Sequence, residues 1–506
     1  MPEYSTLAAV DLGSNSFHCQ VVRVVGDQIY PLDSLREPVR LGAGLTKDKR
    51  LDDASQERAL ACLKRFGERL RDFDRRAVRA VGTNTLRVAK NAGTFLRRAQ
   101  AALKFPIEVV AGREEARLIY LGVCHELPAS KDKRLVVDIG GGSTEFIIGA
   151  GHRSLRLESI FMGCVSYSLR FFPDGRVSKS AMKQAELAAR NELQPIVARF
   201  SRGNWQEAVG SSGTVRAIAE ILQQNGFDDG GITPAGIDRL RSYLIKEGDM
   251  DKVELAGLRP DRVPVFPGGL AIMNAVLSEL NIESMIATGG AMRQGVLYDL
   301  LGRFHHRDMR DVTVAQFMQR YHVDALQARR VGALALTLHR KLAPESGESD
   351  EAAVQRIAWA AKLHEIGISV AYSGYHKHSA YIVNNAEMPG FSNDEQLAVS
   401  LLVLAHRRSL NRVAKRIDEH DMDWSMVFAL RLAALFYRSR SDVALPALQP
   451  RLQGRKLRLA VDAGWLERNP LTVTALADEV REWDKIGFEL KVPGLDELET
   501  SAELAA

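Results

Sequence analysis

The sequence predicts a mixed α/β protein in which one chain motif occurs twice, followed by an all-helical region and a small α/β tail. Three observations carry that expectation. LAAVDLGSNSFHCQVVRV (Leu7–Val24) runs as apolar strand, Asp11, polar glycine turn and second strand, and LVVDIGGGSTEFIIG (Leu135–Gly149) repeats the plan around Asp138. Each copy then alternates helical and strand patterns. Beyond about residue 310, glycine thins out and Ala, Leu and Arg recur at helical spacing.

The elements follow in order. After the first hairpin, Asp53–Phe73 is an amphipathic helix with Leu60, Leu63, Phe66 and Leu70 on one stripe. Val78–Thr83 is a buried strand, Asn84–Leu103 a helix, Ile107–Gly112 a strand and Glu114–Leu127 a helix. After the second hairpin, Ser178–Phe200 is one long helix opened by its serine. Trp205–Leu222 and Glu283–Phe304 each read strand, glycine turn, helix. Gln327–Leu342 and Glu351–Gly367 are helices separated by a loop at Ala343–Glu351. Arg455–Ala463 and the residues around Phe488 are short strands flanking a helix at Thr474–Ile486, and the acidic end Gly494–Ala506 is frayed. The expected domains are 1–125 and 126–310 for the duplicated core, 311–440 for the helical region and 441–506 for the tail.

A chain of 506 residues is too long for a single core. Its 68 basic and 63 acidic residues give a net charge of +5, which tolerates a polyanionic partner but is no nucleic-acid-binding arm. Cys19, Cys62, Cys124 and Cys164 form no C-x-x-C pair and read as free thiols of a reducing compartment. MPEYSTLAAVDLGSN has no basic leader, Asp11 interrupts any apolar segment, and no run approaches the roughly 20 apolar residues of a membrane span. The expected location is the cytoplasm.

Four glycine turns carry the chemistry. Gly13-Ser14-Asn15 and Gly140 to Thr144 sit in hairpins, whereas Gly210 to Thr214 and Gly289-Gly290 each precede a helix, whose N-terminal amides favour anions. Together they point to phosphate. Asp11, Asp138 and Glu145 suit Mg²⁺, which takes few protein ligands among phosphates. Thr83, Asn84 and Arg87 in GTNTLR, and Arg293 in GGAMRQG, stand where they can hold phosphate oxygens. Glu114 and Glu115 open a helix about 100° apart, so at most one of them faces a cleft.

With these residues in view, AAVDLGSNSFH, GTNTLR, GREEARLIYLGV, VVDIGGGSTEF, MGCVS, VGSSGT and GGAMRQGVLYD together resemble the exopolyphosphatase/guanosine-pentaphosphate phosphohydrolase family. The resemblance covers Ala8 to Gly302. It implies an actin-like (ribonuclease-H-like) fold and release of orthophosphate from the ends of inorganic polyphosphate, with guanosine pentaphosphate (pppGpp) as the alternative substrate. It also implies that Glu115 activates water. Asp138 and Glu145, with Asp11, would hold Mg²⁺, with a monovalent cation such as K⁺ as an optional companion. Ser14, Asn15, Arg87, Gly142, Ser143, Thr144, Gly213 and Arg293 would grip phosphates. A homodimer and peripheral membrane association are further implied partners; nucleic acid is not.

In the helical region, His364, Glu365, His376 and His378 resemble the HD phosphohydrolase superfamily, with Glu365 where that motif has Asp. The fold can persist while metal binding does not follow. The basic run Ala405–Arg416 offers a track for a linear polyanion or simply a solvated face. The rivals from other classes are a kinase and a nucleotide-sensing regulator.

Overall fold

A run of consecutive apolar residues in a strand needs both of its faces covered, and Leu7–Val10 shows how. β1 (Thr6–Leu12), β2 (Phe17–Val25) and β3 (Gln28–Glu37) form an antiparallel meander, to which β4 (Val78–Gly82) and β5 (Ile107–Val109) add in parallel, giving the order β3-β2-β1-β4-β5. Ala8, Val10 and Leu12 enter a core with Leu63 and Phe66 of α1 (Asp53–Arg69) and Phe95, which lies beyond the short α2 (Asn84–Val88) on α3 (Ala92–Leu103). Leu7 and Ala9, one residue out of phase, enter a different core with α4 (Gly112–Glu126).

The second half repeats this. β6 (Lys133–Ile139), β7 (Thr144–Ala150), β8 (Arg153–Ile160), β9 (Glu207–Ser211) and β10 (Ile286–Ala287) form a sheet of order β10-β9-β6-β7-β8. Leu135, Val137 and Ile139 face an outer core supplied by α5 (Cys164–Phe171), α6 (Lys179–Leu193), α7 (Val197–Phe200), α8 (Ser212–Gln224), α9 (Pro234–Glu247) and α10 (Phe266–Glu279). Val136, Ile147 and Val209 instead join Leu7 and Ala9 in the core around α4 and α11 (Met292–Phe304). The two helices therefore form a layer common to both sheets.

That layer is thin because glycines line its seam. A Cβ on Gly295 would drive into the carbonyl of Leu118, and one on Gly122 into that of Ala291. Gly295→Ala should cost about 1–3 kcal/mol as an overpacking change against backbone. Gly93→Ala, on α3 with open space around it, should cost nothing; denaturant melts of both variants check the contrast.

Residues 4–128, 130–228, 231–304, 308–342 and 349–495 of this computed structural model are described, in two units, Met1–Met309 and Arg310–Ala506. The second unit comprises α12 (Met309–Arg320), α13 (Ala325–Leu342), α14 (Ser349–Leu363), α15 (Tyr375–Asn385), α16 (Asn393–Ala405), α17 (Asn411–Glu419) and α18 (Trp424–Phe436). A small sheet of β11 (Gln449–Gln453), β12 (Lys456–Ala460) and β13 (Glu489–Lys491) follows, with α19 (Ala463–Glu467) and α20 (Pro470–Asp484) between its strands. Leu457, Leu476 and Trp483 share one core with Leu338, Trp359 and Leu430, so helices and sheet are stabilised together.

The fold is the α/β one expected, with local corrections. The helix expected over 84–103 is two, because Asn91 leaves the helical path to bond both the N–H and the carbonyl of Leu51 at 2.8 and 3.0 Å. The helix expected over 178–200 breaks at Pro195, which lacks the N–H needed to continue. Strand β11 was not expected; Pro450 and Leu452 are its only apolar residues, and a proline argues against a strand. Most of the loop at 343–351 and of the acidic end lies outside the described residues. No helix among the described residues is long and apolar enough to cross a membrane.

Candidate active site

The alternation that builds the shared core also places the acids. Asp11 has the parity of Leu7 and Ala9, Asp138 that of Val136, and Glu145 that of Ile147, so each lies on the sheet face that meets α4 and α11. In register, Asp11 stands opposite His18 and Asp138 opposite Glu145. Their strands end at a cavity of about 140 Å³ inside the first unit.

The turns meet there too, which explains their glycines. A Cβ on Gly141 would stand 3.0 Å from Ser14 Cβ and 3.1 Å from the Asn15 nitrogen, and one on Gly142 would collide with the Asn84 amide. The carbonyls of Gly140 and Gly141 accept from the first N–H groups of α5, Cys164 and Val165, at 2.9 Å each. Ser14 Oγ accepts from Thr85 Oγ1 at 2.7 Å. At the start of α8, Ser212 holds φ at +88°, a strained value for a residue with a side chain and one that structures tend to retain at functional sites.

Of the residues expected in the site, Asp11, Ser14, Asn15, Glu115, Asp138, Gly142, Ser143, Gly213 and Arg293 line this cavity. Arg87, Thr144 and Glu145 do not, although each is tied to it. Thr144 is fully buried and donates to the carbonyl of Met162 at 2.6 Å. Glu145 accepts from Ser159 Oγ at 2.8 Å. Arg87 Nη1 bonds Glu115 Oε2 at 2.6 Å and the Val110 carbonyl at 3.0 Å, so in this conformation it holds the glutamate. Glu114 turns away and pairs with Arg117, which leaves Glu115 as the acid of that pair that faces the cavity.

The cavity holds charge of both signs. Burial raises Asp11 from its ordinary value to about 7, with Glu115 and Asp138 adding to the rise against Arg293. Burial raises Asp138 to about 6, helped by Glu115 and opposed by a hydrogen bond from Ser211 and by Arg216 and Arg293. Glu145 is raised by burial and by the same acids, Glu115 and Asp138. Arg36, Arg216, Arg262 and Arg293 line the same cavity. Burial and these four arginines push His18 down to about 2, so its imidazole is neutral. Arg36 reaches Asp261 at 2.9 Å.

Five buried polar atoms in this cavity make no hydrogen bond within the protein: Asp11 Oδ1, Asn15 Oδ1, Ser16 Oγ, Arg262 Nε and Arg293 Nε. Such atoms are costly unless a ligand or water satisfies them. Among the described residues no three His, Cys, Asp or Glu side chains converge as a ready-made metal cage. The donor set nevertheless fits a hard cation that completes its shell with water and phosphate oxygens, because several carboxylates crowd together and one oxygen is unpartnered.

Sequence reasoning missed Arg36, Arg262, Arg216 and His18. Arg216 follows the Gly213-Thr214 turn as Arg87 follows Thr83, so the rule that marked Arg87 and Arg293 also marks it. Arg36, on an edge strand, and Arg262, in a loop, carry no local signal.

A pH effect follows. In the ligand-free protein, folded Asp11 and Asp138 bind protons that the unfolded chain releases near pH 4. Their contribution to stability is therefore full below about pH 4 and is lost as pH rises through about 6 and then 7. Each tenfold difference in proton affinity between folded and unfolded chain is worth roughly 1.4 kcal/mol, so the pair should cost a few kcal/mol by pH 8. Melting the ligand-free protein between pH 5 and 8 should show this decline, and Asp11→Asn should flatten it.

In the second unit, His364 and His406 stack edge to face at 5.0 Å, both buried, and burial lowers the affinity of each for a proton. Glu365 pairs with Arg440. The basic run 405–416 is divided by the turn between α16 and α17: Arg407 and Arg408 line one cavity and Lys415 another.

The model of the Ppx/GppA phosphatase family matches residues 20–304, and that of Ppx/GppA phosphatase domain III matches residues 309–480. An exopolyphosphatase from Cytophaga hutchinsonii is 25% identical, with TM-score 0.54, over 59% of this chain and 98% of its own. An exopolyphosphatase-like protein is 23% identical, with TM-score 0.52, over 59% and 99%. The Ppx/GppA enzyme of Aquifex aeolicus is 25% identical, with TM-score 0.48, over 58% and 98%.

Proposed function

The chain belongs to the Ppx/GppA phosphatase family and is a hydrolase of phosphoanhydride bonds; from that premise we propose that it removes orthophosphate from the ends of inorganic polyphosphate. The observation that carries the reading is one cavity lined by both carboxylates and arginines, with unpartnered polar atoms among each. The terminal phosphoryl belongs beside the acids, where Glu115 takes a proton from the attacking water. Arg87 holds that carboxylate in place through a 2.6 Å ion pair. The next phosphates lie toward Arg293, Arg262, Arg216 and Arg36, which meet the charge that builds on the leaving oxygen.

A divalent ion such as Mg²⁺, held by Asp138 and Asp11 with Glu145 behind them, would neutralise phosphate oxygens beside these acids. The likeness to the Cytophaga hutchinsonii exopolyphosphatase supports the polymer as substrate. Guanosine pentaphosphate ends in the same anhydride and is the alternative. Orthophosphate release from long polyphosphate and from guanosine pentaphosphate, with Mg²⁺, tests the choice. The polymer should give the higher kcat/KM; the reverse order would assign the nucleotide.

A further inference from the structure

The four arginines that line the first unit's cavity have little acid to pair with. Among the described residues, the one carboxylate that forms an ion pair with any of them is Asp261, in the loop before α10. Arg36 Nη2 donates to Asp261 Oδ2 at 2.9 Å across 225 positions, so the pair joins β3 of the first sheet to the second half of the unit. Arg262 Nε lies 4.0 Å from the same oxygen, and Arg259 Nε 3.5 Å from the other. Three guanidinium groups therefore share one carboxylate.

The two cavity arginines in this cluster are set for more negative charge than Asp261 supplies. Arg262 is buried, and its Nε makes no hydrogen bond. Its guanidinium lies against Gly213 at the start of α8, where a Cβ would come within 2.0 Å of Nη2. Burial and the charge of Arg259 lower the proton affinity of Arg36, against Asp261. Burial also lowers that of Arg262, with Arg36 adding to the effect against Cys164 and Asp261. A phosphate offers such groups more acceptor oxygens than a carboxylate does. The Asp261 side chain is 28% exposed, so it can turn into water when another anion takes its place.

We infer that Asp261 holds the place of a substrate phosphate before substrate binds, and sets the affinity for the chain by competing for Arg36. The inference rests on the reading that phosphates run from the acids toward these arginines. Binding then exchanges the Arg36–Asp261 ion pair for one between Arg36 and phosphate. The test is calorimetry of tripolyphosphate binding to the full-length Glu115→Gln protein. Adding Asp261→Asn should tighten binding by about three- to tenfold, the size of a part-exposed ion pair plus the relief of charge repulsion. Asp261→Glu, which keeps the charge, should bind as the parent does. Arg36→Gln should cost more affinity in the Asp261→Asn background than alone, because only in the parent does Arg36 give up a partner on binding. Unchanged or weaker binding by the Asp261→Asn protein, or an equal cost of Arg36→Gln in both backgrounds, would overturn the inference. Tighter binding by Asp261→Asn, with no orthophosphate released from polyphosphate by the protein that retains Glu115, would uphold the inference and count against the proposed reaction alone.

Discussion

Glu115→Gln should lower kcat for orthophosphate release by roughly 10²- to 10⁴-fold, the usual share of a general base, while substrate affinity changes little. The amide keeps the size of the side chain and can still accept from Arg87, so the first turn of α4 should hold its place. What it loses is the capacity to take a proton. Glu114, one position earlier, cannot substitute, because its carboxylate is engaged on both oxygens by Arg117 at 2.8 Å. Steady-state kinetics with tripolyphosphate, alongside equilibrium binding, separates the two effects. Release at the parent rate would remove Glu115 from the reaction.

The second large effect should be on stability. Asp299→Ala should destabilise the first unit by about 3–5 kcal/mol, because it removes the buried carboxylate that three arginines share and leaves Arg117 only Glu114 and Arg79 only Glu108. Asp299 accepts from Arg79 at 2.7 Å and from Arg117, with Arg303 at 3.4 Å. Burial alone would raise its pKa, but Arg117, Arg79 and Arg303 overcome that and hold the acid below the ordinary carboxylate range. This contribution is present above about pH 4 and is lost as pH falls. The network joins α11 to α4 one residue away from Glu115, so the variant should also lower kcat before it unfolds. Urea melts at pH 7 measure the loss, and a change under about 1 kcal/mol would mean that the chain relaxes around the missing carboxylate.

Much of this site was legible because short-range rules placed it. The repeated strand, Asp and glycine turn located Asp11 and Asp138 at matching points, and strand parity then aims both at the layer of α4 and α11. The same parity settles Glu145, whose direction could not be read from its position at the head of a strand. The 100° between Glu114 and Glu115 limited the choice to one acid, but only the position of Arg117 and Asp299 shows which. Arg87 was read as a phosphate ligand from its turn; its partner in the fold is Glu115, a contact across 28 positions that spacing does not reveal. Arg36 and Arg262 come from an edge strand and a loop and are brought in by tertiary structure alone. The breaks at Asn91 and Pro195 show the remaining limit, where one side-chain contact or one missing N–H overrides a helical pattern.

The most direct test of the account is the structure of the Glu115→Gln protein with tripolyphosphate and Mg²⁺. The account predicts phosphate density in the first unit's cavity, its terminal group beside Asp11 and Asp138 and the rest toward Arg262 and Arg293. An empty cavity at saturating ligand, or a chain bound with its end away from these acids, would contradict it.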